Sequence, residues 1–297
     1  MSTSIARVVT FPGQGSQQPG AGAPWRDQPQ WSLVTEGSAA LDRDLATVLL
    51  ETPAEELKRP WEAQVATYLV SMMVWDAWLA AGNAPPDALA GHSLGEWTAL
   101  AASGAVDFAT GLRLVSARGS AMAAAAALRP GTMAAVMGAE DDAVEKACET
   151  ATSVWPANYN APGQIVISGD ADEFDAVGTA AGARRVVPIP VGGAYHTPFM
   201  APAREALTDA LAQDVPGVAS IPIWSNVDAA PHTDGFAELL AAQLTSPVRW
   251  RQTVAGLVAR GTSAFVELGP GTVLTNLGKR NAPGAELIAI ATPDGLA

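Results

Sequence analysis

The stretch Gly91-His92-Ser93-Leu94-Gly95 decides how this chain folds and where its chemistry lies. An apolar run at 88–90 precedes it and good helix formers at 96–102 follow it, which predicts a strand, a tight turn and a helix. The serine stands at the apex between two glycines, which have no Cβ to block crossing segments. The helix N-terminus would present free N–H groups to an oxyanion above Ser93. The pattern therefore predicts a nucleophilic serine, with an ordinary turn as the alternative.

The composition is that of a globular protein with a sizeable core. Of the 297 residues, 48% are hydrophobic and 16% charged, enough for one large domain or for a domain with a smaller one. The net charge of −13 argues against nucleic acid or an anionic membrane as the main partner. The single cysteine, Cys148, allows no intrachain disulfide, so a reducing, cytoplasmic location is expected. Three histidines without a Cys/His cluster make a zinc site unexpected.

Predicted strands and helices alternate over the first part of the chain. A strand is predicted at 8–11, another before the serine turn, and helices at about 62–81, 95–103 and 107–127. This alternation predicts a mainly parallel sheet covered on both faces. The apolar window 65–81 is interrupted by a threonine and an aspartate, so we expect a buried helix there and not a membrane span. The first residues show no secretory apolar segment.

The pattern changes in the middle of the chain. Residues 130–195 follow the order β-α-β-β-α-β, which is that of a ferredoxin-like unit. Apolar runs at 221–224 and 264–268 then resume the larger sheet. We therefore expect an α/β protein with a large subdomain formed by residues 1–129 and 196–297, and a small subdomain inserted at 130–195.

A serine hydroxyl needs an adjacent base before it is a good nucleophile, and the chain offers three histidines. His92 precedes the serine on the strand, where alternation points its side chain away. His232 lies in a polar loop and is expected at the surface. His196 lies where the chain returns to the large subdomain, and clefts form at such junctions. We expect His196 to be the base, with a buried structural histidine as the alternative.

Further motifs follow one another in a recognisable order. They are Gly13–Gln17, Gly91–Glu96, Ala117–Gly119, Tyr195–His196 and Glu267–Gly271. In this order the chain resembles, over nearly its whole length, the malonyl-CoA:acyl carrier protein transacylases and the acyltransferase domains of polyketide synthases. The resemblance implies an α/β-hydrolase-like large subdomain with a ferredoxin-like insert. It also implies transfer of a malonyl group from coenzyme A to the phosphopantetheine thiol of an acyl carrier protein, without a metal or redox cofactor.

The resemblance also implies roles for individual residues. Ser93 would attack the thioester with His196 as general base, and the backbone N–H groups of Gln14 and Leu94 would form the oxyanion hole. Arg118 would bind the free carboxylate of the malonyl group. From its helical context alone, a surface arginine with a packed stem is an equal alternative.

Other residues match the family more loosely. Gln64 is implied near the acyl pocket, and Asn158 and Asn160 match paired asparagines of the family, although a helix-surface amide and turn-forming asparagines are alternatives. Tyr195 would narrow the pocket against branched acyl groups. The backbone carbonyl of Arg249 is expected to orient the catalytic histidine in place of a carboxylate.

Carrier proteins are acidic, and so is this chain, so docking needs basic residues near the cleft. The candidates are Arg184 with Arg185, Lys279 with Arg280, and Arg249 with Arg251. We expect a monomer.

Three other functions stay open at this point. They are a trans-acting polyketide acyltransferase for a substituted malonyl unit, a serine thioesterase or hydrolase, and a carrier-docking module without activity. Hydrolases of this type usually place their histidine near the C-terminal end, and no histidine follows His232. A hydrolase would also have no obvious use for Arg118.

Overall fold

The structure, a computed structural model, describes residues 5–296 and arranges their ten strands in two sheets. The strands are β1 (Arg7–Phe11), β2 (Ala88–Gly91), β3 (Thr132–Met137), β4 (Val154–Ala161), β5 (Gln164–Gly169), β6 (Arg185–Ile189), β7 (Ile223–Trp224), β8 (Pro231–His232), β9 (Ala264–Leu268) and β10 (Glu286–Ile290). The helices are α1 (Ser32–Leu41), α2 (Leu45–Leu50), α3 (Pro60–Ala80), α4 (Leu94–Ala102), α5 (Phe108–Leu128), α6 (Asp141–Thr150), α7 (Phe174–Ala180), α8 (Ala201–Gln213), α9 (Phe236–Gln243), α10 (Trp250–Val258) and α11 (Val273–Asn281).

The larger sheet has the strand order β10-β9-β1-β2-β7-β8. Its strands pair in parallel, except for β8, which runs antiparallel to β7. The central strand β1 buries both faces, since Val8, Val9 and Phe11 have no exposed surface. Helix α3 is buried along most of its length and packs on α4 and α5, as predicted. Of the helices within residues 5–296, none combines the length and the apolar character that a membrane crossing requires.

The smaller sheet has the order β4-β5-β3-β6 and is antiparallel throughout. Helices α6 and α7 pack together, and residues such as Val144, Ile167 and Phe174 give this part a core of its own. The β-α-β-β-α-β order and the mainly parallel larger sheet confirm the predicted fold class. The sequence patterns miss β10, an edge strand with mostly half-buried residues.

The two sheets are joined by backbone hydrogen bonds beside the cleft between them. The N–H of Tyr159 on β4 donates to the carbonyl of Val248 at 2.9 Å, and the N–H of Val248 donates to the carbonyl of Ala157 at 2.8 Å. Val248 belongs to the segment that leads into α10. The small subdomain is therefore held against the large one at the edge of the cleft.

The serine turn has the strained geometry that its sequence predicts. β2 ends at Gly91, α4 begins at Leu94, and Ser93 between them has a φ of 52° and a ψ of −102°. A Cβ on Gly91 would overlap the backbone of Gly95, and one on Gly95 would overlap the carbonyl of Phe11 at the end of β1. Glycine is required at both positions because the backbone segments cross there.

We predict that Gly95→Ala lowers the free energy of unfolding by about 1–3 kcal/mol, because the methyl group forces β1 and α4 apart. Gly192→Ala is the matched control, since a Cβ there meets no atom within 4 Å. Urea denaturation of both variants measures the difference. Equal stability of Gly95→Ala and the control would show that β1 and α4 can accommodate a Cβ at this position.

Candidate active site

The structure brings Ser93 and His196 together from distant parts of the chain. Ser93 Oγ lies 2.8 Å from His196 Nε2, within hydrogen-bond distance. His196 follows β6 where the chain returns to the larger sheet, is buried, and has a φ of 62°. Both residues of the pair thus hold backbone conformations that L-residues rarely adopt. Such a pair can activate the serine hydroxyl as a nucleophile.

The second nitrogen of His196 faces backbone carbonyls. Nδ1 lies 2.9 Å from the carbonyl oxygen of Gln243 and 3.2 Å from that of Ser246. Because α9 ends at Gln243, its carbonyl has no donor within the helix, and besides a long contact from the Ser246 N–H at 3.4 Å it can accept from His196. Two acceptors on Nδ1 fix its proton there and leave Nε2 unprotonated towards Ser93.

The expectation for Arg249 is therefore wrong. Its carbonyl accepts a hydrogen bond from the Thr253 N–H at 2.9 Å, inside the first turn of α10. Arg249 is the residue that precedes α10, so its carbonyl is used by that helix. The histidine is oriented by carbonyls three and six residues earlier, those of Ser246 and of Gln243 at the end of α9.

Burial, and after it the nearby Arg118 guanidinium, lower the pKa of His196 to about 3, although the two carbonyls oppose the shift. His196 is consequently neutral at physiological pH, the state in which it can accept a proton. No carboxylate accepts a hydrogen bond from His196 within the described part of the chain.

Arg118 lies fully inside the protein, with 1% of its surface exposed, so it is not a surface arginine. Its Nη1 donates to Gln64 Oε1 at 2.8 Å, and its Nη2 donates to Ser93 Oγ and to Gln243 Oε1, each at 3.0 Å. Its Nε has no acceptor among residues 5–296. Burial lowers its pKa to about 10, so it stays charged at neutral pH. All its acceptors are neutral, which leaves a cation beside the serine that can bind an anion.

Two backbone N–H groups at the serine turn are available to stabilise an oxyanion. Leu94 begins α4 and Gln14 lies in the loop after β1, and neither N–H has a hydrogen-bond acceptor in the described range 5–296. The N–H of Ser93 itself is occupied, because it donates to Asn226 Oδ1 at 2.6 Å. Both N–H groups are thus free to donate, and Gln14 lines the same cavity as Ser93.

A cavity of about 170 Å³ opens above Ser93. Its lining includes Gln14, Met122, Met133, Asn158, Asn160, Tyr195, Val273 and Leu277. Tyr195 is buried, which raises the pKa of its hydroxyl to about 12. The cavity lies between the subdomains, with α11 on one side and strands of the small sheet on the other.

The weaker predicted residues also lie at or near this cavity. Gln64 is buried on α3 and is not a helix-surface amide, since its Nε2 faces Met122 Sδ at 3.1 Å and its Oε1 binds Arg118. Asn160 Oδ1 lies 2.8 Å from His92 Nε2. Asn158 Oδ1 is buried without a donor among the described residues.

The other two histidines do not bind the serine side chain. His92 is hydrogen-bonded to Asn160 and packs its ring against Trp250, with ring centroids 5.7 Å apart. His232 lies half-buried on β8 and contacts Asp228 Oδ2 at 2.9 Å, so it is less solvated than its polar loop predicts.

Three residues that hold this site together are not predicted from the sequence as site residues, namely Glu96, Asn226 and Gln243. Gln243 is buried, and its backbone carbonyl accepts from His196. Its side-chain oxygen accepts hydrogen bonds from Arg118 and Trp97. Its side-chain NH₂ donates to Glu96 and to the Ser93 carbonyl. Asn226 follows β7 at the carboxyl end of the parallel sheet, where ligand sites form, and that signal could have identified it. An amide at the end of a helix such as Gln243 carries no comparable signal.

Comparison with known proteins assigns the chain to a family. Residues 8–292 match the family model described as acyl transferase domain. The malonyl CoA-acyl carrier protein transacylase of Escherichia coli strain K12 is 38% identical over 302 residues, with 98% of this chain and 97% of the relative covered. The chain belongs to the acyl transferase family, among the malonyl CoA-acyl carrier protein transacylases.

Solved structures agree with this assignment. An acyl carrier protein S-malonyltransferase from Vibrio cholerae superposes with a TM-score of 0.92 at 36% identity, covering 98% of both chains. A malonyl-transacylase in complex with its type II PKS acyl-carrier protein superposes with a TM-score of 0.93 at 33% identity, covering 98% of this chain and 97% of the other.

We predict that the His196 imidazole stays neutral from about pH 8 down to about pH 5, because burial and the Arg118 charge oppose its protonation. NMR of ¹⁵N-histidine-labelled protein measures this, with His196→Asn used to assign the signal. A titration midpoint near the free-imidazole value of about 6.5 would show that the site does not shift this pKa.

Proposed function

We propose that this protein transfers a malonyl group from coenzyme A to the phosphopantetheine thiol of an acyl carrier protein, through an ester on Ser93. The observation that carries the proposal is the position of Arg118. It is a buried cation that is paired with no carboxylate among residues 5–296, and its Nη2 lies 3.0 Å from Ser93 Oγ. A substrate that carries both a thioester and a free carboxylate fits this arrangement.

The first half-reaction follows from the hydrogen bonds at the site. His196 Nε2 takes the proton of Ser93 Oγ as this oxygen attacks the thioester carbonyl. The N–H groups of Gln14 and Leu94 stabilise the resulting oxyanion, and one such donor typically contributes about 3–4 kcal/mol. The carbon–sulfur bond then breaks, and His196 gives its proton to the departing coenzyme A sulfur.

The second half-reaction reverses these steps with a new thiol. The carrier's phosphopantetheine sulfur loses its proton to His196 and attacks the ester carbonyl, and the carbon–oxygen bond to Ser93 breaks as the proton returns to Oγ. Because one thioester replaces another, these side chains and N–H groups suffice for the chemistry. The same chain supplies every group, so we propose a monomer. Its single cysteine allows no intrachain disulfide, which supports a cytoplasmic location.

Arg118 and its neighbours would select the acyl group. A bidentate pair between the guanidinium and the malonyl carboxylate favours dicarboxylic acyl groups and turns the thioester towards Ser93. Gln64 holds Nη1 of the guanidinium. Tyr195 fills one wall of the cavity and would disfavour branched acyl groups, and Asn160 forms part of the wall on the small subdomain.

The carrier protein would dock at the mouth of the cavity. Of the predicted basic residues, Arg251 is paired with Asp141 and Lys279 bonds Asn276 within its own helix. Arg280 lies on the same face of α11 as Val273 and Leu277, which line the cavity, by the spacing i, i+4, i+7. Its contact with the neutral Gln164 leaves its charge available to an acidic carrier.

We predict that Arg118→Ala lowers kcat/KM for malonyl-CoA about 10- to 100-fold more than for acetyl-CoA, because one charged pair is lost. Arg113→Ala on the same helix is the matched control, since Arg113 is exposed and paired with Asp214. Intact-mass spectrometry of the acyl-enzyme and steady-state rates measure both reactions, and Ser93→Ala should accept no acyl group. Equal losses for the two substrates would refute carboxylate recognition by Arg118.

We predict that Arg280→Glu raises KM for the carrier protein about 3- to 10-fold and leaves KM for malonyl-CoA unchanged, because a rim charge mainly affects encounter. Arg7→Glu makes the same change of charge and serves as control. Arg7 lies at the N-terminal end of β1, whereas the cavity lies beyond the C-terminal end of that strand. Rates at varied carrier concentration provide the measurement. A parallel rise of both KM values would show that Arg280 does not belong to a docking surface.

A further inference from the structure

Glu96 is a buried carboxylate for which the proposed mechanism has no use. It lies in the first turn of α4, three residues after Ser93, with 2% of its surface exposed. Its Oε2 accepts hydrogen bonds from the backbone N–H of Asn226 at 3.1 Å and from Gln243 Nε2 at 2.6 Å. A buried carboxylate is costly, so its two amide partners indicate what it supports.

Both partners of Glu96 hold the catalytic groups. Asn226 spans the serine turn, since its Oδ1 accepts from the Ser93 N–H at 2.6 Å and its Nδ2 donates to the Gly91 carbonyl at 2.7 Å. Gln243 Nε2 donates to the Ser93 carbonyl at 3.0 Å as well as to Glu96.

The opposite end of the Gln243 amide faces donors only. Its Oε1 accepts from Arg118 Nη2 at 3.0 Å and from Trp97 Nε1 at 3.1 Å. The end of the amide that faces Glu96 and the Ser93 carbonyl must therefore be the NH₂ group, and the end that faces Arg118 and Trp97 must be the oxygen. The orientation of Gln243 decides whether Arg118 Nη2 has a second acceptor besides Ser93 Oγ.

We propose that Glu96 is a positioning residue that fixes the orientation of the Gln243 amide and, through it, the guanidinium that selects the malonyl carboxylate. An ionised carboxylate can only accept, so it holds the NH₂ end of Gln243 towards itself. A protonated or amide side chain at this position can donate. The Ser93 carbonyl is then the remaining obligatory acceptor at the NH₂ end, which lowers the cost of a flipped Gln243 whose NH₂ would face Arg118. The proposal rests on the proposed function, because it acts through the recognition of malonyl by Arg118.

The groups around Glu96 give the proposal a pH dependence. They are Arg118 from α5, Gln243 from α9, and Ser225 and Asn226 after β7; within residues 5–296, Arg118 is the charged side chain that acts on it. Burial raises the pKa of Glu96 to about 7, while these hydrogen bonds and Arg118 oppose the rise. Glu96 is therefore ionised above this pH and protonated below it.

The other titratable groups of the site keep their charge in this range. The pKa of His196 is lowered to about 3 and that of Arg118 to about 10, and burial lowers the pKa of His92. The preference for malonyl over acetyl should consequently be full above about pH 7 and should fall as the pH falls through that value.

The test is Glu96→Gln, assayed as kcat/KM for malonyl-CoA and for acetyl-CoA between about pH 6 and about pH 8.5. At the upper end we expect the malonyl-to-acetyl ratio to fall about 10- to 100-fold, the size of one hydrogen bond to a charged group. The wild-type ratio should decrease as the pH is lowered, and the ratio of the variant should not change with pH.

Glu267→Gln is the matched control. Glu267 is also a buried carboxylate, with 1% exposed, but it accepts from the N–H groups of Leu274 and Thr275 at the start of α11. Its replacement should reduce stability and leave the ratio and its pH dependence as in the wild type. Glu96→Asp, which retains an acceptor-only group, should recover part of the preference.

An unchanged ratio in a folded Glu96→Gln protein, checked by thermal unfolding, would overturn the proposal. Where that variant does not fold, a wild-type ratio that is constant with pH overturns it equally. A wild-type protein that forms no malonyl ester on Ser93 would refute the proposed function, and this inference with it. An ester formed with normal preference but without any effect of Glu96 would refute the inference alone.

Discussion

The strained backbone at Ser93 is the constraint on which the rest of the site depends. A φ of 52° in a residue with a side chain costs on the order of 1–3 kcal/mol and persists only where surrounding contacts enforce it. Here β2 and α4 cross at two glycines, and the Asn226 side chain bridges the two sides of the turn. The strain exposes Oγ at the cleft, frees the Leu94 N–H, and directs the axis of α4 at the acyl carbonyl.

The base, His196, is itself the second strained residue of the site, and neutral acceptors hold it. Two carbonyls at the end of α9 replace the carboxylate that commonly orients such a histidine, so His196 gains less basicity. The neighbouring Arg118 lowers its pKa further, but the same guanidinium donates to Ser93 Oγ and stabilises negative charge there. The Arg118 charge thus makes His196 a weaker base and stabilises the negative charge that develops on Ser93 Oγ. A thioester suits this compromise, since a thiolate leaves more readily than an amine.

Local sequence signals predict the parts of the fold and site that depend on local structure. The glycine spacing around Ser93 and the β-α-β-β-α-β order are both encoded in short stretches, and both predictions are confirmed as structure. The half-buried strand β10 has too weak a pattern to be identified. Which carbonyls face His196 depends on where α9 ends in space, so the prediction of Arg249 is wrong, and the carbonyls that face His196 are those of Ser246 and Gln243, three and six residues earlier. The burial of Arg118 could not be predicted from its helix, because only tertiary packing separates a buried from an exposed arginine.

With the role proposed for it, Arg118 would also explain why the site fits a dicarboxylic thioester better than a simple ester. Burying a guanidinium costs several kcal/mol unless hydrogen bonds compensate it, and here Gln64, Gln243 and Ser93 provide neutral acceptors while the Trp97 ring lies 5.9 Å from the guanidinium carbon. The folded chain contains a carboxylate, Glu96, that approaches this cation only through the Gln243 amide. A direct ion pair would neutralise Arg118 and remove its affinity for substrate. The intervening amide lets the two buried charges stabilise each other and leaves the guanidinium able to bind the carboxylate that arrives with the acyl group.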